Sequence, residues 1–132
     1  MNVQNVVEEL KKLYPGKNII LNDPNNPTEI IREIEPASLN PERSVAIAVL
    51  NSTIKHFHRL AKETYEVVKG NLELTKAGKT FFLSPGEKLV IEPDEYHMAR
   101  GNETWVKVIS EPGWIPGDHV PIEENVKPDE KL

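Results

Sequence analysis

His56 and His58 sit one residue apart in IKHFHRLAKETYEVVKG, and Glu63 follows five positions after the second. The chain holds only four histidines, so a pair this close invites a chemical reading. Side chains on a strand alternate between faces, which turns His56 and His58 the same way, about 7 Å apart along the chain. Ile54 shares their parity, and Lys55 and Phe57 take the other face. Two imidazoles so placed can close on one cation, each offering a ring nitrogen. Residues 59–62 can form the turn to a second strand, opened by Glu63. Glu63 has the parity of Tyr65 and Val67, so the face that buries Val67 turns Glu63 inward and Glu66 outward. His97 supplies a third imidazole in SPGEKLVIEPDEYHMARGN, where Pro85-Gly86 and Pro93-Asp94 bracket an apolar run and His97 lies on the return. Three neutral imidazoles and one carboxylate suit a single divalent transition metal: Mn, Fe, Ni, Co or Zn. Such a set leaves open positions on a six-coordinate ion, and open positions mean chemistry or ligand binding.

These residues need strands to hold them. Short segments rich in Val, Ile, Thr and aromatics, each bounded by turn residues, predict strands near Thr28–Glu35, Ser44–Leu50, Ile54–His58, Thr64–Val68, Asn71–Thr75, Thr80–Leu83, Lys88–Glu92, Tyr96–Arg100 and Thr104–Ser110. KAGK, Lys76 to Lys79, is a hairpin turn between LELT and TFFL. So many short strands point to an all-β sandwich or barrel. The one helical pattern is N-terminal. Val3, Val6, Val7, Leu10 and Leu13 recur at helical spacing and stop before Pro15-Gly16. This amphipathic helix, within residues 1–16, is expected to cover one end of the barrel or a partner chain. The barrel itself is read as residues 28–111, and residues 112–132 as a tail rich in Pro and acids, solvated over its last ten residues. Trp114 and Ile115 are bulky for such a tail and predict that it folds back onto the domain or a neighbour. His119, outside the histidine–glutamate pattern, reads as a tail or interface residue.

Composition bounds the partners. The 132 residues make one domain, and the net charge of −5 argues against nucleic acid or an anionic membrane. There is no cysteine, which excludes disulfides and thiolate zinc sites. No signal peptide or membrane-length apolar run is visible, and the expected address is cytoplasmic.

The segment around the histidine pair resembles the first motif of the cupins: His-x-His, four residues, Glu, six residues, Gly. His56, His58, Glu63 and Gly70 match that spacing in full. Gly86, Pro93, His97 and Asn102 resemble the second motif, and the resemblance covers about half the chain, Ser44 to Ser110. It departs from the family where Leu50 stands for the opening glycine and where Asp94-Glu95 replace a glycine near Pro93. The resemblance implies a double-stranded β-helix, a small jelly roll, in a single domain over 1–132. It also implies that His56, His58, Glu63 and His97 are the metal ligands and that the chain is a homodimer, with the Thr28–Leu50 region and Trp114 contributing. Tyr65, inside by parity, is the candidate catalytic residue: its phenol can orient substrate or pass a proton. One of Phe81 and Phe82 should line the cavity and the other pack outside. Arg100 and Lys107 should point away from the metal, which disfavours a highly phosphorylated substrate. The expected activity is that of a metal-dependent enzyme on a small oxygen-rich molecule, of the sugar or keto-acid isomerase type or a dioxygenase. The alternative is a non-enzymatic binding or sensing module whose metal is structural or holds the ligand.

Overall fold

The structure is a computed structural model and describes residues 1–122. Residues 123–132, read above as the solvated end of the tail, lie outside the described residues.

Helix α1 (Val3–Leu13) opens the chain, with the Asn2 side chain accepting from Asn5 N and Lys11 and Lys12 in the last turn. Those lysines complement the negative end of the helix dipole. Strands follow in chain order: β1 (Ile19–Leu21), β2 (Glu29–Glu35), β3 (Ser44–Ser52), β4 (His56–His58), β5 (Lys62–Lys69), β6 (Leu72–Lys76), β7 (Lys79–Leu83), β8 (Lys88–Ile91), β9 (His97–Glu111) and β10 (His119–Pro121). All pairs are antiparallel, in the path β1-β2-β3-β9-β4-β10, with β5, β6, β7 and β8 attached through β9, β6 and β5. β1 and β10 extend the sheet beyond the strands read from the sequence.

β9 is the hub. Its first residues pair β4 and β6, and its second half lies between β3 and β5. The sequence predicts two strands here, and the structure joins them through an irregularity at residues 101–103. Buried positions shift there from His97 and Ala99 to Thr104 and Val106, so the inward parity flips. Gly101 permits the close approach: a Cβ at that position would lie 2.3 Å from Thr104 Oγ1.

Two apolar clusters lie on opposite faces of the sheet. Ala48, Leu50, Tyr65, Val67, Leu74 and Val106 belong to the inner one. Ile47 and Val49, the alternate residues of β3, join Val6, Leu10, Ile30 and Trp105 in the outer one. The helix therefore covers the outer face of β2, β3 and β9 rather than an end of the barrel. The strand alternation demands this, because two adjacent apolar residues of β3 cannot both face one side. Each fully buried Leu or Val contributes roughly 1.5–3 kcal/mol. In the inner layer, Phe81 packs against the cluster while Phe82 is exposed, the division expected of that pair.

Candidate metal centre

β4 is only three residues long, and it carries two ligand candidates. His56 and His58 are buried while Phe57 between them is less so, as alternation requires. Ile54 departs from the parity reading: it is exposed, and β4 begins after it. Its carbonyl has another use, accepting from His56 Nδ1 at 2.7 Å. β5 carries Glu63, buried with Tyr65 and Val67 on the same face. β9 begins at His97, directly opposite His56. The turn before His97 lacks the family's glycine, and Asp94 takes the left-handed conformation instead, at φ 68°. Asp is among the few residues that tolerate it. The turn is then pinned by Asp94 N donating to His58 O at 2.7 Å and by Glu95 Oε1 accepting from Glu92 N. The departure in sequence thus leaves His97 in place.

The four side chains converge. One ligand atom from each of His56, His58, Glu63 and His97 lies within 4.8 Å of the others, and all four residues are buried. Glu63 Oε1 is 3.1 Å from His58 Nε2 and 3.2 Å from His97 Nε2. Yet these atoms, with His58 Nδ1, have no aligned hydrogen-bond partner among the described residues. A buried polar group left this way costs about 1–3 kcal/mol. His58 Nε2, Glu63 Oε1 and His97 Nε2, with the neighbouring His56 ring, form a four-residue donor set that fits a divalent cation, which would satisfy the three unpartnered atoms together. The outer nitrogens agree. A carbonyl can only accept, so His56 Nδ1 carries the proton toward Ile54 O, and His97 Nδ1 carries it toward Glu95 O at 3.1 Å. Both rings then present the Nε2 lone pair inward, the usual arrangement behind a metal-binding histidine.

Electrostatics keep the set ready. Burial, then the neighbouring His97, pull His56 down to about 3, so it is neutral. Burial alone would raise Glu63, but its contacts with His58 and His97 outweigh it and hold the carboxylate at about 2. Burial also lowers His58, and Glu63 overcomes that and raises it. Tyr65 is held well above the ordinary phenol range by burial, then by Glu63 and Glu29, so it stays a hydrogen-bond donor. Its ring lies edge-on to His97, with centroids 5.9 Å apart.

Three more residues belong to the surroundings, and sequence reasoning missed their place. Glu29 has the parity of Ile31, which packs on the inner cluster. It retains some exposed surface, and burial and then Glu63 push its carboxyl up to about 7. His119, expected in a tail or interface, stands opposite His58 on β10 and stacks on His56, with centroids 4.4 Å apart and planes at 24°. Asp118 is buried and accepts from the backbone of Arg59, Leu60 and Ala61. No local pattern announces any of them, because each comes near the centre only through contacts with distant chain. Arg100 is exposed and Lys107 lies on the face opposite Val106 and Val108, as read. An open groove of about 510 Å³ lined by Phe82, Arg100 and Glu73 among others contains none of the four converging residues.

No family model matches the chain, and no curated protein matches it. Solved structures do. Pac13 of Streptomyces, a nucleoside dehydratase, is 13% identical with a TM-score of 0.69, over 87% of this chain and 94% of its own. A variant of it is known with uridine. KdgF from Halomonas sp. is 18% identical with a TM-score of 0.64, over 74% of this chain and 89% of its own. Oxalate decarboxylase of Bacillus subtilis, which has Mn(II) centres, is 13% identical with a TM-score of 0.68, over 83% of this chain and 31% of its own. These likenesses establish the fold: the chain is a cupin-type jelly-roll barrel with one N-terminal helix. No helix among the described residues is long and apolar enough to cross a membrane.

Proposed function

We propose that this cupin-fold chain is a metal-dependent enzyme acting on a small oxygen-rich molecule, with one divalent transition metal held by His56, His58, Glu63 and His97. The observation that carries the reading is the convergence of buried, unpartnered nitrogen and oxygen atoms from three strands on one point. The cation would supply Lewis acidity, polarising a carbonyl or hydroxyl oxygen placed on its open positions. Tyr65 donates a hydrogen bond to such an oxygen and does not serve as a phenolate base, because its surroundings disfavour the anion. Glu29 has the environment of a group that can both take and return a proton near neutral pH. A carboxyl of that kind beside a neutral phenol favours proton transfer, as in isomerisation or elimination, over dioxygen chemistry. Inward-facing carboxylates favour neutral substrates over phosphorylated ones, since Arg32 lies under the helix and Arg100 is exposed. Enzymes among the similar folds, one of them with manganese, agree with this reading.

The second reading is a binding or sensing module whose metal holds the ligand or the structure. It is favoured by the His119 ring, a fourth imidazole that stacks on His56 beside the converging residues. Elemental analysis of protein purified without a histidine tag discriminates between the readings. Near-stoichiometric manganese, nickel or iron with an exchangeable bound water supports an enzyme. Zinc saturated by protein ligands supports the module. His58→Ala abolishes stoichiometric metal under either reading, and unchanged metal content rejects the ligand assignment. A homodimer is part of the proposal, since Trp114 and Ile115 retain exposed apolar surface. Sedimentation that finds only monomer at micromolar concentration removes it.

A further inference from the structure

The two ligand strands β4 and β5 are joined by residues 59–61, so the separation of His58 and Glu63 is set by how that turn is held. Its three backbone N–H groups all donate to one side chain. Arg59 N and Leu60 N donate to Asp118 Oδ1, both at 3.0 Å, and Ala61 N donates to Asp118 Oδ2 at 3.1 Å. A carboxylate ringed by several N–H groups makes strong charge-assisted bonds, and Asp118 is only 6% exposed. The residue arrives from far along the chain, and the segment that brings it is fastened at several points. Gly113 N donates to Pro41 O at 2.9 Å, Trp114 N to Ser44 Oγ at 2.9 Å, and Ile122 N to Lys55 O at 2.9 Å. β10 then pairs along the whole of β4, with His119 opposite His58 and Pro121 opposite His56.

We infer that Asp118 is a positioning residue of the metal centre: it clamps the 59–61 turn from the C-terminal segment and so fixes the spacing of His58 and Glu63. The inference rests on the metal-binding reading above. It makes the C-terminal segment a working part of the centre, although that segment reads in the sequence as a tail. Metal–ligand distances tolerate only a few tenths of an ångström, so a turn released by one hydrogen bond moves a ligand out of range. Outer partners of metal ligands contribute about 10–100-fold in affinity.

The test uses cobalt(II) as the probe, titrated into the metal-free full chain and read by its visible ligand-field bands. Asp118→Asn replaces an acceptor with a donor facing Ala61 N–H. It is expected to weaken cobalt binding by about 10–100-fold and to alter band position and intensity. Leu10→Ala, which destabilises the opposite face of the sheet, is expected to keep both affinity and spectrum. If Asp118→Asn lowers only the unfolding midpoint of the metal-free chain while cobalt affinity and spectrum stay at wild type, the residue is merely structural and the inference is overturned. If the variant does not fold, amide exchange in the unsubstituted chain decides. Cobalt should slow exchange at Arg59, Leu60 and Ala61, because coupling between centre and turn is reciprocal. Unchanged exchange there overturns it. A wild-type chain that binds no cobalt, manganese or zinc sinks the metal-binding reading itself, a different result from a wild type that binds and an Asp118→Asn that binds equally well.

Discussion

The two faces of strand β3 bury side chains to opposite ends. On the outer face, Ile47 and Val49 meet Val6, Leu10 and Trp105, and the buried cation there has a partner. Arg32 gives Nε and Nη2 to Tyr14 O, at 2.8 and 2.5 Å, and so caps the C-terminal end of the helix. On the inner face, Ala48 and Leu50 border a layer whose polar atoms are left without partners: His58 Nε2, Glu63 Oε1 and His97 Nε2. Both faces exclude water. One spends its burial on cohesion, the other holds polar groups at a cost to stability that an unpartnered set can recover only by binding something. The difference between the faces is therefore not burial, which both share, but the hydrogen-bond satisfaction of what is buried.

The comparison breaks if the two faces prove to be one cooperative unit. Leu10 is wholly buried in the outer cluster, and Leu10→Ala should lower unfolding free energy by about 2–5 kcal/mol in urea titration. Free cobalt at a hundred times its dissociation constant should add about 2.7 kcal/mol to wild type. The same increment should appear in Leu10→Ala, because separated sites add to within about 0.3–0.5 kcal/mol. It should vanish in His58→Ala. An increment lost in Leu10→Ala would mean that the helix layer holds the centre together.

What could be read from the sequence follows the same division. His56, His58, Glu63 and His97 were legible because strand parity is local and their spacing is a motif. The helix was legible from its period, but not the face it covers, which depends on adjacent residues of β3 choosing opposite sides. Phe81 and Phe82 were divided correctly by alternation alone. Glu29 follows a run of turn residues, and nothing near it says that Glu63 and Tyr65 lie across the barrel. Asp118 and His119 sit in a stretch whose Pro and Gly content reads as tail, and only contacts with chain some sixty residues earlier, the 59–61 turn for Asp118 and β4 for His119, bring them beside the centre. The β9 irregularity escaped for a similar reason: Gly101 looks like a turn until its contact with Thr104 is seen.

The pH dependence carried by Glu29 offers the sharpest probe of the inner face. Glu29 has its carboxyl raised from 4.5 to about 7, by burial first and by Glu63 second. A raised carboxyl binds more protons in the folded state than in the unfolded state between those two values. Below about 4.5 both states are protonated and the group costs nothing. As pH rises through the window the unfolded chain ionises while the folded carboxyl stays protonated, so folding loses stability progressively, and above about 7 the loss is complete. Glu29→Gln removes that dependence. The variant's thermal midpoint in metal-free protein should therefore equal or only slightly exceed wild type at pH 4.5, and exceed it by a margin that grows to pH 7 and then stays level. With cobalt bound, the margin should shrink, because a cation beside Glu63 offsets the negative charge that helps to raise Glu29. A margin that is flat with pH, or one that cobalt leaves untouched, would place Glu29 out of electrostatic reach of the centre and remove it from the proposed chemistry.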